Sequence, residues 1–369
     1  MEKQKLGFIC AWGKDRKKTW SGTIDGLFCS LGDYFELIEY DSGIENKSIE
    51  AVIYKVLRKI RKQLGYFKPD MELERMAIME RKICKQIKEE YPLLMFEECP
   101  IMMAERSYIY MDCHAGYVKR LFEEMPDVFR MSGFQQFTEE VIIKREKHQR
   151  YFLNHAAGIF TMGKWLRKEL IENYNLPLDK VFSVGGGYNL NVCSIRYDLK
   201  KGNKLLFVGR DFERKGGYLV LEAFQKARAK RSDLELYIAG PKEICVEYGA
   251  GITFLGDLPS EKLEYYFNLC DVFCMPSYFE AYGLVFIEAL VYGLPCIGRD
   301  AYEMPFFIQE GVTGRLLKKD DINVLADMML DVLQDKDMMK NVINNRGYYM
   351  SEYSWSSVSN RIAKVVLNG

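Results

Sequence analysis

Between residues 204 and 298, five short apolar segments alternate with helix-length stretches. They are "KLLFVGR" (204–210), "LELYIAG" (234–240), "GITFLG" (251–256), "DVFCMP" (271–276) and "LPCIG" (294–298). A strand that is apolar throughout must be covered on both faces, and a chain that returns through a helix after each strand lays its strands parallel. The stretch 216–230 carries Leu219, Leu221, Ala223, Phe224 and Ala227 in helical spacing. The rhythm therefore predicts an α/β chain built on parallel sheet, and in such sheets ligands bind beyond the carboxyl ends of the strands.

The first half follows the same rhythm less regularly. "KLGFICAW" (5–12), "SYIYMD" (107–112), "GIFTM" (158–162) and "KVFSVGGG" (180–187) read as strands, with a helix starting near Ser21 and a charged, helical insertion between 45 and 95. A chain of 369 residues exceeds what one core usually serves, so two domains are expected. Periodicity fades over 189–203, which places the boundary there: an N-terminal domain at 1–195, a second at 196–350, and a capped final helix at 351–369.

Hydrophobic content of 48% and charged content of 28% suit an ordinary globular protein. Lys+Arg and Asp+Glu balance at 52 each, so no global field recruits nucleic acid. The ten cysteines include no C-x2-C pair, which argues for reduced thiols in a cytosol rather than zinc sites. The first apolar run is too short for a signal peptide, and no stretch reaches 18 apolar residues, so a cytoplasmic protein is expected. "AVIYKVLRKIRKQL" (51–64) places Ile53, Val56, Leu57, Ile60 and Leu64 on one helical face with lysines and arginines around it. The simpler expectation is a helix packed on the N-terminal domain. Peripheral contact with anionic lipid at the inner membrane face is the alternative.

Several motifs fall short of the chemistry they suggest. "GIFTMGKW" (158–165) approaches a P-loop, but Trp165 stands where a hydroxyl would bind magnesium. Neither "SVGGGYN" nor Gly13 and Gly22 supply a dinucleotide fingerprint. "DKD" (335–337) lies among helical residues and reads as a helix end. His148 and His155 sit in a polar helix-like stretch, with no G-x-S-x-G elbow to accompany them.

What remains is a cluster in the second half. "PSYFEAYGLVFIEALVYGLP" (276–295) puts Glu280 and Glu288 inside an apolar run, where an unpaired buried carboxylate would cost several kcal/mol. Something must meet them. "GRDFERKGG" (209–217) puts Arg210 and Lys215 on a loop at a strand end, before a helix N-terminus, an arrangement suited to a diphosphate; the plain alternative is a solvated loop. Gly283 allows close backbone approach, and the amides of Ala281, Tyr282, Gly283 and Leu284 would face an anionic group at the positive helix end. Glu288 lies about 8 Å of rise further along. The two carboxylates could then accept from sugar and ribose hydroxyls, the paired donors of a sugar nucleotide.

Arg210, Lys215, Gly216, the "PS..E" run, the E-x7-E spacing of Glu280 and Glu288, and "GVTGRLL" (311–317) stand in an order that resembles the family-4 retaining glycosyltransferases of the GT-B fold. The likeness extends over roughly 150–369 and continues less strictly upstream. In "KWLRKELIENYNLPLDKVFSVGGGYN", Gly163 stands where that family commonly has serine, and Gly186-Gly187 replace an Asn-Gly pair. "TWSGT" (19–23) is similar to the first βα loop of one branch, with Ser21, Gly22 and Thr23 near the donor phosphates. "MDCHAGYV" (111–118), with Asp112 and His114, resembles the segment that reaches the cleft from the N-terminal domain.

The resemblance implies two Rossmann-like domains facing across a cleft, with the last helix returning to the first domain. It implies transfer of a sugar, hexosyltransferase fashion, from a nucleoside-diphosphate sugar to a hydroxyl of a glycan, lipid-linked or small-molecule acceptor, with retained configuration. Arg210 and Lys215 would stabilise the departing diphosphate without a metal or other cofactor. Glu280 would hold the donor sugar and Glu288 the ribose, with Gly187 on the donor side. Asp112 and His114 would serve the reaction from the first domain. A nucleotide-sugar-binding protein without turnover and a GT-B sugar-nucleotide epimerase are the alternatives.

Overall fold

The computed structural model describes residues 3–43, 52, 56, 59–60, 70–96, 101–196, 200, 202–241 and 249–368. The chain divides into two units, Met1–Gly185 with Trp355–Gly369, and Gly186–Ser354. The helix expected over 51–64 lies, apart from a few exposed positions, outside the described residues.

In the first unit, strands β1 (Lys5–Cys10), β2 (Glu36–Asp41), β3 (Leu93–Phe96), β4 (Ser107–Met111), β5 (Gly158–Thr161) and β6 (Val181–Ser183) form one sheet in the order β2-β1-β3-β4-β5-β6. Every pairing is parallel. The connecting helices are α1 (Thr23–Leu31), α2 (Asp70–Gln86), α3 (Ala115–Glu124), α4 (Pro126–Met131), α5 (Glu139–His155) and α6 (Lys164–Glu172). β3, β4 and β5 are buried along their whole length, as continuous apolar strands covered on both faces must be.

β2 and β3 were not foreseen. β2, "ELIEYD", lies at the sheet edge and is partly exposed, which lets it carry Glu36, Glu39 and Asp41. β3 is a four-residue strand that overlaps the end of the stretch that charge patterning assigns to a helical insertion. The helix expected near Ser21 starts at Thr23 instead. Before it, Trp20, Ser21 and Gly22 take three successive left-handed conformations (φ 45°, 56° and 86°).

The second unit holds β7 (Lys204–Val208), β8 (Glu235–Ala239), β9 (Ile252–Gly256), β10 (Val272–Cys274), β11 (Cys296–Arg299) and β12 (Gly314–Leu317), in the order β12-β11-β10-β7-β8-β9. Its helices are α7 (Gly217–Lys230), α8 (Ser260–Leu269), α9 (Leu284–Val291), α10 (Met304–Phe307), α11 (Ile322–Gln334), α12 (Lys336–Asn344) and α13 (Arg346–Glu352). β12, within "GVTGRLL", was also missed as a strand. It pairs with β11 because Gly314 lets the backbones meet: a Cβ there would overlap the Cys296 carbonyl. The Asp of "DKD" is a helix cap, with Asp335 Oδ1 accepting from the Met338 amide at 2.8 Å.

The expected boundary at 195/196 falls ten residues after the observed division at 185/186. Residues 186–195 belong with the second unit because their backbone is tied to it. The Asn191 amide donates to Glu264 at 3.0 Å, and Tyr292 Oη donates to the Asn191 carbonyl at 2.7 Å.

The last helix, α14 (Trp355–Asn368), belongs to the first unit and packs on α1. Ser30 Oγ and Ser359 Oγ share a 2.6 Å hydrogen bond, and the Trp355 indole lies over Gly26. A Cβ at Gly26 would overlap the rigid indole ring. Gly26→Ala should therefore cost about 1–3 kcal/mol from overpacking, reduced by about 1 kcal/mol of helix propensity. Urea unfolding should show a net loss; equal or greater stability would rule out this packing.

Candidate active site

Strand order places the site. In the second sheet β7 lies between β8 and β10, so successive strands run outward in opposite directions from it. The crevice beyond the carboxyl ends at such a reversal is where open α/β sheets bind ligands. The loops that emerge there, 209–216 after β7 and 275–283 after β10, are the two that carry Arg210, Lys215 and Glu280.

These loops are stitched together. The Tyr278 amide donates to the Arg214 carbonyl at 2.9 Å, and Arg214 Nη1 donates to the Phe279 carbonyl at 2.7 Å. Gly216, at φ 78°, approaches so closely that a Cβ would sit 2.7 Å from the Pro276 carbonyl oxygen. From β11, Arg299 donates to the Ser277 carbonyl (3.0 Å), the Pro276 carbonyl (3.2 Å) and Asp320 (2.7 Å), with its guanidinium over the Tyr278 ring. Arg214 and Arg299 were missed by sequence reasoning. For Arg299 the available signal was a charged residue at the carboxyl end of an otherwise buried strand; Arg214 stood inside the "GRDFERKGG" motif beside Lys215.

Lys215 and Glu280 form an ion pair at the centre of this crossing, and Ser277 Oγ donates to the same Glu280 oxygen at 3.3 Å. Burial pushes the Lys215 ammonium below the usual lysine range, against the pull of Glu280. Arg210 behaves differently. Its side chain is 73% exposed and donates to Asp257 at 3.2 Å, a surface pair of little net stability.

Gly283, at φ 95°, caps α9 and so offers no side-chain acceptor to the helix's first amides. Ala281 and Leu284 flank it at the half-buried helix start. Tyr282 points elsewhere: its hydroxyl accepts from the Gly186 amide at 2.8 Å and its ring packs edge-on to Phe307. Gly187 follows in the same buried turn.

Glu288 is 8% exposed on α9, and its Oε1 accepts from the Asn189 amide at 3.2 Å. Burial pushes its carboxyl up to about 7, with nearby Glu264 adding to the rise and the Asn189 bond opposing it. Both glutamates thus have partners within the chain, Lys215 and Ser277 for one and a backbone amide for the other. The expectation that ligand hydroxyls alone would meet them needs that correction.

In the first unit, Ser21 is exposed while Gly22 and Thr23 are buried at the start of α1. Asp112, at the end of β4, is half-buried. His114 caps α3 with its ring buried, edge-on to Tyr174 at 4.6 Å and with Nε2 3.8 Å from Glu169. Burial holds its imidazole below the usual histidine range despite Glu169, a setting that favours packing over proton transfer. His148 and His155 lie on α5, half-buried and exposed respectively.

The chain is similar to known glycosyltransferases. Residues 196–350 match the family model of glycosyl transferases group 1. The chain is 28% identical over 174 residues to a phosphatidyl-myo-inositol mannosyltransferase of Mycolicibacterium smegmatis, a match covering 45% of each chain. The chain thus spans under half the length of that relative. An uncharacterized glycosyltransferase of Methanocaldococcus jannaschii is 22% identical over 352 residues, covering 93% of this chain and 92% of its own. Among solved structures, WaaG, a glycosyltransferase involved in lipopolysaccharide biosynthesis, superposes with a TM-score of 0.64 at 14% identity over 99% of this chain and 100% of its own. Sucrose-phosphate synthase from Thermosynechococcus elongatus gives 0.62 at 16% identity over 99% of each chain. At these identities the structural likeness speaks to architecture, and the architecture is the two-domain α/β GT-B fold.

The raised Glu288 carboxyl has a stability consequence. Relative to an ordinary value of 4.5, a folded value of about 7 means that the folded chain holds this proton more tightly. Its contribution is fully present below the unfolded value and is lost as pH rises through about 7. At about 1.4 kcal/mol per pKa unit, ionised Glu288 costs on the order of 3 kcal/mol. Glu288→Gln should therefore be more stable than the parent at pH 8, with the advantage fading toward pH 4.5. Denaturant titrations at several pH values, free of ligand, check this; a gain that does not vary with pH would reject it.

Proposed function

We propose that the chain transfers a sugar from a nucleoside-diphosphate sugar to an acceptor hydroxyl with retained configuration. The observation that carries this reading is the Lys215–Glu280 pair at the strand-order reversal, beside the glycine-capped start of α9. A diphosphate gives Lys215 a stronger anionic partner, and the carboxylate it releases can accept from sugar hydroxyls. Arg210 can leave Asp257 for the same diphosphate at little cost, because an exposed pair is worth about 0–1 kcal/mol. Glu288, further along α9, is assigned to the ribose hydroxyls.

In this mechanism the acceptor hydroxyl is the nucleophile and the diphosphate is the leaving group. Its departing negative charge is stabilised by Lys215, Arg210 and the positive end of α9, and its oxygen takes the acceptor's proton on the same face. No enzymic nucleophile and no metal are assigned. The acceptor is taken to be a glycan, lipid-linked or small-molecule hydroxyl, in line with the substrates named for the relatives.

Glu280→Gln should chiefly lower kcat, because sugar orientation matters most as the bond to phosphate stretches. Glu288→Gln should chiefly raise KM, because ribose contacts persist through the reaction. Each loses a charge-assisted hydrogen bond of about 1.5–3 kcal/mol, or about 10- to 150-fold. Steady-state kinetics across a panel of nucleotide sugars measure both effects. Full activity in both variants would reject the assigned roles, as would loss of activity on chelation.

The ion pair adds a control. Lys215→Ala leaves the buried Glu280 carboxylate without its cation, which costs about 3–5 kcal/mol in a fully buried pair and somewhat less here. The double variant Lys215→Met with Glu280→Gln should regain that stability while staying inactive. Thermal melts beside transfer assays separate the two effects, and a stable double variant with parental turnover would exclude the ligand roles.

A further inference from the structure

The first unit carries a second concavity, independent of the crossing in the other unit. An open groove of about 780 Å³ runs along the edge strand β6 and is lined by α6, β6 and α14. Its volume falls within the range of about 300–1,000 Å³ typical of small-ligand sites. Lys164, Arg167 and Lys168 of α6 and Arg361 and Lys364 of α14 contribute five cations, against the single carboxylate of Glu172. In a chain whose net charge is zero, that is a strong local excess.

Two of the cations are fixed in place. Arg167 Nε donates to the Val181 carbonyl at 2.9 Å, and Arg361 Nε donates to the Val184 carbonyl at 2.7 Å. A guanidinium anchored through Nε has already lost the freedom that anion binding would otherwise cost. The Arg167 bond occupies a carbonyl of β6 itself, which disfavours an added peptide strand. Between the cations the surface is apolar. Leu178 is 63% exposed, and Ile171, Phe182 and Val365 are partly exposed. A free phosphate would use the cations and leave this floor in water, whereas an amphiphile covers both.

We propose that this groove binds one anionic phospholipid, with the headgroup phosphate on the cationic rim and the acyl chains on the apolar floor. The inference does not rest on sugar transfer. The test uses the full chain and dihexanoyl phosphatidylglycerol below its micelle concentration, followed by calorimetry, with dihexanoyl phosphatidylcholine, glycerol 3-phosphate and an acidic Glu-Leu peptide as comparators. Saturable one-to-one binding of the phosphatidylglycerol, at least tenfold tighter than any comparator, is expected. Lys168→Gln with Lys364→Gln, both exposed and so neutral to folding, should weaken it about tenfold. Leu178→Gln should weaken it several-fold. Equal binding of glycerol 3-phosphate would reduce the site to a phosphate site and overturn the proposal. Equal binding of phosphatidylcholine or the peptide, or variants that bind like the parent, would overturn it as well.

Discussion

The position of β7 between β8 and β10 is the constraint from which the site follows. Lys215 and Glu280 are 65 positions apart, yet each stands on the loop that leaves the carboxyl end of one of two adjacent parallel strands. Register pairs Leu205 with Val272 and Leu206 with Phe273, so the following loops must emerge side by side. A parallel sheet buried on both faces cannot shift that register without exposing apolar strands. The crossing of the loops is therefore as firm as the core beneath it. Arg214, Arg299 and the close approach of Gly216 to Pro276 then set the loop backbones against one another.

The two glutamates show two ways in which a chain can hold carboxylates inside an apolar segment. Glu280 is 7% exposed and has a cation and a hydroxyl. Glu288 has one backbone amide and, among the described residues, no cation in direct contact, and burial pushes its carboxyl up to about 7. The difference matters for function. On the proposed reading, Glu280 exchanges Lys215 for sugar hydroxyls when a diphosphate draws the lysine away, and Glu288 gains from ribose hydroxyl donors.

The first unit is built on the same principle, with strand order reversing at β1, but its candidate residues have a different character. The loop after β1 holds Trp20 and Ser21 in left-handed backbone conformations that non-glycine residues adopt at a cost of about 1–2 kcal/mol each. Trp20 packs edge-on to Phe96 and Tyr110, contacts that hold the turn in this shape. His114, which motif likeness nominated, is enclosed by Tyr174 and Glu169.

The sequence by itself determined the class of fold and singled out Lys215, Glu280 and Glu288 as charges that need partners in the second unit. Continuous apolar strands alternating with helices leave little choice but covered parallel sheet, and a glycine-capped helix after a strand declares itself by residue type. It did not reveal β2, β3 or β12, because a four-residue interior strand such as β3 and charged edge strands such as β2 and β12 carry too weak a periodicity to stand apart from their surroundings. Tertiary structure alone decided which partners meet the buried charges. Arg299 reaches the loop at Pro276 from the neighbouring strand, and Asn189 reaches Glu288 from 99 positions away. Such pairings depend on strand order and loop approach, which are properties of three-dimensional packing and leave no mark in local residue spacing.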